Sequence, residues 1–141
     1  MASDNNDLMA RYNAKLVSII VDGISLFGFQ AGDMVSWTQA NENVELVIDA
    51  QGTGTGSESN DKHGTVTIHM SQASPKMQDL NDLLTSSKTF SFTAKSTNEM
   101  VESKNSWVTK APDGSFGSTL TARDWGLTCV ALQYSVTSAT M

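Results

Sequence analysis

Residues 64–84 read GTVTIHMSQASPKMQDLNDLL, and the change of hydrophobic period inside them decides the fold class. Val66, Ile68 and Met70 alternate with Thr65, Thr67 and His69, which gives a strand one apolar and one polar face. The period breaks at Ser74-Pro75. A serine oxygen caps a helix N-terminus, and proline suits the first helical position because its missing N–H has no partner to lose there. Met77, Leu80, Leu83 and Leu84 follow at helical spacing. The pattern predicts a strand and then one helix over residues 75–86.

Outward from this stretch the strand pattern recurs. Residues 15–21 (KLVSIIV) are rich in β-branched side chains, Asp22-Gly23 is a two-residue hairpin turn, and residues 24–29 (ISLFGF) form the returning strand. Gly32-Asp33 turns the chain into a third strand over 34–38. In residues 44–49 (VELVID), Val44, Leu46 and Ile48 share one face, and Glu45, Val47 and Asp49 the other. Residues 50–62 (AQGTGTGSESNDK) have no apolar periodicity and read as a long mobile loop. Strands are expected at 89–95, 99–103, 105–110, 118–123 and 126–136, with a turn at 111–114. The sum is one β-sandwich or rolled barrel of roughly eight to ten strands flanked by one helix. No repeat or linker divides it, so residues 1–141 form a single domain, with 1–13 as an extended N-terminal arm.

Composition excludes several functions. The chain has 141 residues, 39% apolar and 17% charged, with a net charge of −6. Gripping a nucleic-acid backbone needs clustered Lys and Arg, whereas the nine basic residues here are scattered. Cys129 is alone, so it makes no intrachain disulfide, and in its apolar run it reads as a buried structural thiol. The polar start MASDNNDLMARYN has no apolar core for a signal peptide, and no run reaches membrane-spanning length.

The motifs that suggest chemistry have plainer readings. Gly52, Gly54 and Gly56 lack the lysine and following helix of a phosphate loop and read as flexible polar loop. His63 and His69 lack the partners of a metal site and read as surface histidines. Asp79 and Asp82 are neighbours on a solvated helix face. Trp37, Trp107 and Trp125 read as core or interface aromatics. No Ser–His–Asp or Cys–His arrangement is visible in local sequence, so no enzyme, cofactor or metal is expected.

Taken in order, Asp22-Gly23, Gly28-Phe29, Gly32-Asp33, the 44–49 strand, GTVTIHMSQASPKMQDLNDLL, Ala111-Pro112 and Arg123-Asp124-Trp125-Gly126-Leu127 resemble the tail tube proteins of contractile-tailed bacteriophages. The resemblance runs over about residues 12–135. It implies a β-sandwich or barrel with one flanking helix that forms homo-hexameric rings, which stack helically into a hollow tube. That tube conducts genomic DNA without binding it specifically, and sheath contraction drives it through the host envelope. The implied partners are further copies of the chain, the tail sheath protein, a tape-measure protein in the lumen, a baseplate initiator and a tail terminator, with no membrane anchor. The implied location is the virion tail, assembled in the bacterial host cytoplasm.

Within that resemblance, strand alternation makes Glu45 and Asp49 candidates for the lumen, where negative charge repels phosphate. Residues 50–63 fall where the family has its inter-ring loop. Gly52, Gly54, Gly56, Glu58, Asp61 and Lys62 are its candidate contacts, and the acidic and Lys side chains are expected to pair across rings. The helix is expected to pack through Met77, Leu80 and Leu84. The inner-tube protein of a contractile bacteriocin or of a type VI-like injection system shares these features. A carbohydrate-binding β-sandwich using the three tryptophans is the alternative of a different class.

Overall fold

The computed structural model describes residues 13–136. The strands are β1 (Ser18–Val21), β2 (Ile24–Ser25), β3 (Val35–Gln39), β4 (Val44–Ile48), β5 (Gly54–Glu58), β6 (Gly64–Ser71), β7 (Phe90–Lys95), β8 (Glu99–Val108), β9 (Ala122–Cys129) and β10 (Gln133–Val136). One helix, α1 (Met77–Ser86), and one 3-10 turn (Ala14–Leu16) complete the elements. The expected arm over 1–13 lies outside the described residues except for Asn13, whose side chain accepts from the Lys15 N–H at the 3-10 turn.

Eight strands form one antiparallel sheet in the order β2-β1-β7-β8-β9-β6-β3, with β10 also on β8; β4 and β5 form a separate two-stranded sheet. The large sheet is open, not a closed barrel, because among the described residues β2 and β3 each have one neighbour. It folds over on itself: Trp37 of β3 meets Tyr134 of β10 with ring centroids 6.2 Å apart. The faces turned inward carry Ile19, Val21, Val66, Ile68, Met70, Phe90, Phe92, Val101, Trp125 and Leu127, all buried. Cys129 is buried among them as a free thiol. Leu80 and Leu83 of α1 enter this core, and Met77 and Leu84 pack half-buried against it.

Local signals explain the elements. Asp22 and Gly23 both have positive φ (53° and 78°), as the tight hairpin between β1 and β2 requires. The helix starts two residues later than its sequence signal. Lys76 is the N-cap and has no side-chain cap bond; the Ser74 hydroxyl instead closes the preceding turn, accepting from the Lys76 N–H at 3.3 Å and donating to the Phe27 carbonyl at 2.6 Å. That tie to the β2 side holds Pro75 and Lys76 in a preceding turn.

Five other expectations are corrected. The two short strands at 99–103 and 105–110 are one strand, β8, whose register against β7 shifts between Phe90 and Phe92. The 118–123 strand begins only at Ala122, and the returning strand at 24–29 is ladder only over Ile24–Ser25, with Phe29 bridged to Met70. The long last strand is split at 130–132. Its halves nonetheless pair β8 in one continuous register, Cys129 opposite Ser106 and Gln133 opposite Glu102. Residues 50–62 are not a plain loop, since they contain β5.

Gly28 has φ +83° and sits so close to Ser74 that an added Cβ would lie 2.5 Å from Oγ. Gly28→Ala adds left-handed strain to a clash with the Ser74 side chain. It is expected to lower the unfolding free energy by about 2 kcal/mol, measured by urea denaturation, with Ser74→Ala costing about 1 kcal/mol.

A candidate assembly surface

The β4–β5 hairpin stands outside the core, and every residue of both strands is exposed. β5 (GTGSE) has no apolar alternation to announce it. Its pairing comes from backbone alone, Val44 opposite Glu58 through Ile48 opposite Gly54. The glycines have a spatial purpose. A Cβ on Gly54 would lie 3.3 Å from Leu46 and 3.4 Å from Ile48, and one on Gly56 3.0 Å from Val44. Val44, Leu46 and Ile48 therefore lie across a glycine floor and make one continuous apolar face. Glu45, Val47, Thr55 and Ser57 occupy the opposite face by strand alternation.

The polar residues at the tip and base are tied within the chain. Asp49 Oδ1 accepts from the Gln51 and Thr53 N–H groups at 2.9 Å each, closing the turn at which Gly52 takes φ +88°. Asp61 accepts from Asn41 Nδ2 at 2.9 Å and pairs with His63 Nδ1 at 2.6 Å. Lys62 Nζ donates to Asn43 Oδ1 at 3.2 Å. Asp49, Asp61 and Lys62 thus shape the hairpin itself. Glu45 and Glu58 are exposed on its strands.

Among the described residues β2, β3 and β10 each have one neighbour in the large sheet, and the longer two, β3 and β10, present the larger unpaired edges. Met34 accepts from the His69 N–H and the Ala40 N–H donates to His63, so Ser36 and Thr38 also point their amides at β6. Val35, Trp37 and Gln39 turn theirs outward. The Leu132 N–H turns away from β8 to the Lys62 carbonyl, so alternation beyond the 130–132 break leaves the amides of Tyr134 and Val136 outward on β10. Beside the β3 edge the two halves of the sheet part around a groove of about 300 Å³. Its walls include Val17, Met34, Val35, Trp37, Ala94 and Val101, with Asp33, Lys95 and Glu99 also lining it. The Tyr134 hydroxyl donates to Glu99, and that bond to an anion raises the phenol's pKa.

The polar face of the large sheet brings together a set that local sequence does not reveal. His69 Nδ1 lies 2.8 Å from Asp124 Oδ1, and its Nε2 lies 3.2 Å from Ser36 Oγ. Register makes the set: Asp124 is directly opposite His69, and Ser36 is one diagonal away on β3. The connectivity is that of a hydrolytic triad, but the Ser36 amide is committed to β6 and is not free to stabilise an oxyanion. The cluster works as a cross-strand lock on a hydroxyl-rich face that also carries Thr65, Thr67 and Thr128. Among the described residues no group of three or more His, Cys, Asp and Glu is gathered to hold a metal. No helix there is long and apolar enough to cross a membrane.

No family model matches the sequence, and no curated protein matches it. Solved structures do. One chain in the cryo-EM structure of the sheath/tube terminator of an extracellular contractile injection system, PVC, in its extended state is 11% identical. It has a TM-score of 0.64, with 92% of this chain and 99% of that one covered. A chain of the anti-feeding prophage tube-terminating cap gives 0.63 at 10% identity, covering 97% and 100%. A chain of the PVC sheath-tube complex gives 0.64 at 12% identity, covering 92% and 95%.

Two outcomes are expected. Leu46→Ser should change the unfolding free energy by less than about 0.5 kcal/mol in denaturant titration, because Leu46 packs outside the core. The His63 hydrogen bonds hold the exposed Asp61 carboxyl below its ordinary pKa. A lowered carboxylate pKa adds order above the unfolded value, and that order is lost as pH falls through the folded one. The His63 amide resonance should therefore shift in acid at a midpoint below the ordinary Asp range, and Asp61→Asn should abolish the transition. Across proteins of such low sequence identity, what is shared is the fold: a mainly β, antiparallel, open-sheet domain with one helix.

Proposed function

We propose that this chain is a structural subunit of the inner tube of a contractile tail or injection system, forming rings that stack into a hollow conduit. The observation that carries the reading is the pair of free sheet edges, on β3 and β10. An open β-domain with unpaired edges invites pairing with further copies, and a head-to-tail ring closes such edges. Support comes from the likeness to a sheath-tube complex chain over nearly the full length of both chains. In this assembly the protein acts by shape, not catalysis. Its partners are further copies, a surrounding sheath, a lumenal tape-measure protein, and initiator and terminator complexes at the two ends, all in a virion-like particle.

The two-faced hairpin fits a role between rings. Its apolar face seeks a neighbour. We assign Glu45, on the opposite face, to the lumen, where like charge keeps passing DNA from sticking. Asp49 holds the turn that presents this face, while Glu58, opposite Val44, lies at the margin of the apolar face. Gly52, Gly54 and Gly56 keep the hairpin thin enough to lie on an adjacent ring.

A tube terminator is the second reading, because chains from a sheath/tube terminator and a terminating cap share the fold equally well. The two readings differ in growth. Purified protein viewed by negative-stain electron microscopy is expected to form rings and hollow tubes, and removal of residues 52–59 should leave rings or monomers without long tubes. Single rings that never stack would favour the terminator. Monomers at every concentration, also in the presence of a cognate tube end, would overturn both.

A further inference from the structure

We infer that β4 of one copy adds antiparallel to the free β3 edge of a second copy, laying Val44, Leu46 and Ile48 over that copy's apolar groove. The inference rests on the assembly reading above and names the surface that receives the hairpin.

Three observations carry it. The first is an apolar face without a home. Val44, Leu46 and Ile48 are 54%, 67% and 55% exposed, on a hairpin that touches no core of its own. Burying such side chains is favourable in proportion to the apolar area removed from water. The second is a matching vacancy. The groove of about 300 Å³ beside β3 is walled in good part by Val17, Met34, Val35, Trp37 and Val101, with Asp33, Lys95 and Glu99 also lining it. A cavity of about 150 Å³ admits one benzene, so this one has room for about two aliphatic side chains. The hairpin of the same chain does not fill it.

The third observation is parity. Ser59 N–H bonds the Asn43 carbonyl and Asp49 N–H the Thr53 carbonyl, so the odd-numbered residues of β4 point their amides at β5. Val44, Leu46 and Ile48 are therefore the residues whose amides face the free edge. On β3 the outward amides belong to Val35, Trp37 and Gln39. In an antiparallel ladder, directly opposed residues carry their side chains on the same face. Bonding 44, 46 and 48 to 35, 37 and 39 thus puts the apolar face of β4 on the same side as Val35 and Trp37, over the groove. The opposite side receives Glu45 and Val47. The backbone bonds supply affinity and the alternate side chains supply register, as in other strand additions.

The test mixes two single-substitution proteins of different mass under assembly conditions and oxidises them. Leu46→Cys is mixed in turn with Val35→Cys, Trp37→Cys and Gln39→Cys, and Glu45→Cys serves as the opposite-face control. The expected result is a mixed disulfide dimer for Leu46→Cys with at least one β3 partner, at a yield at least tenfold above Glu45→Cys. Each variant is checked for native circular dichroism, and buried Cys129 is left in place. In parallel, Leu46→Asp with Ile48→Asp, outside the core, should fold normally and need at least tenfold more protein to assemble. Rings or tubes that form without the selective cross-link, or that form normally with both aspartates, would overturn this inference and leave the proposed function standing. Absence of any assembly by the unsubstituted protein would overturn both.

Discussion

Everything in this fold hangs on the ladder between β6 and β9. Eight residue pairs, from Gly64 opposite Cys129 to Ser71 opposite Ala122, join segments far apart in sequence. On one face Val66, Ile68 and Met70 meet Leu127, Trp125 and Arg123, and all six are buried. β3 attaches to the outer side of β6, and β8 attaches where β9 bends toward β10. The corner is tight. A Cβ on Gly64 would lie 2.7 Å from the Thr38 carbonyl oxygen and 2.8 Å from Leu132, so three chain segments meet there only because residue 64 has no side chain. Arg123 at the other end of the ladder is buried but satisfied. Its guanidinium donates to Thr121 Oγ1 at 2.6 Å and to the Ser115 carbonyl at 2.7 Å, and it lies 5.9 Å from the Phe116 ring centroid. Ionic charge that finds acceptors in this way avoids much of its desolvation cost.

Elements that bury a face were legible, because burial imposes a period on the sequence. β6, β7 and β9 alternate in burial as their residues alternate in polarity, and the turn at Asp22-Gly23 announced the first hairpin. β5 was not legible. Its residues bury nothing, so nothing selects a pattern, and its strand form comes from partner amides and from side-chain-free space. The helix start was displaced because Ser74 answers to a distant carbonyl and to the turn before the helix. The cluster of Ser36, His69 and Asp124 was invisible for another reason: it is a product of register between three strands. Single-residue reading assigned His69 to the surface, and only pairing reveals its two partners.

The candidate surface was half legible. Alternation in residues 44–49 already separated Val44, Leu46 and Ile48 from Glu45. In sequence the charged residues are the conspicuous ones. In the folded chain Asp49, Asp61 and Lys62 have local partners that hold the hairpin in shape. What remains uncommitted is backbone edge and aliphatic surface, and neither property can be seen without knowing which amides already have partners.

Those uncommitted groups raise the question of how an isolated copy avoids indiscriminate edge pairing. The edges are short: β2 has two residues, β10 four and β3 five. Short edges hold a wrong partner weakly. Parity narrows the choice further. The amides of the odd-numbered β4 residues are committed to β5 and those of Ser36 and Thr38 to β6. A slip of one residue therefore sets outward amides opposite residues already bonded elsewhere and loses the ladder, whereas a slip of two preserves the facing and changes only the overlap. Parity thus selects the face of the hairpin that docks, and the length of the edge together with the groove selects how far along it does so. A net charge of −6 opposes close approach of copies by any other route. Assembly then depends on satisfying backbone edge and apolar face at once, which neither surface achieves alone.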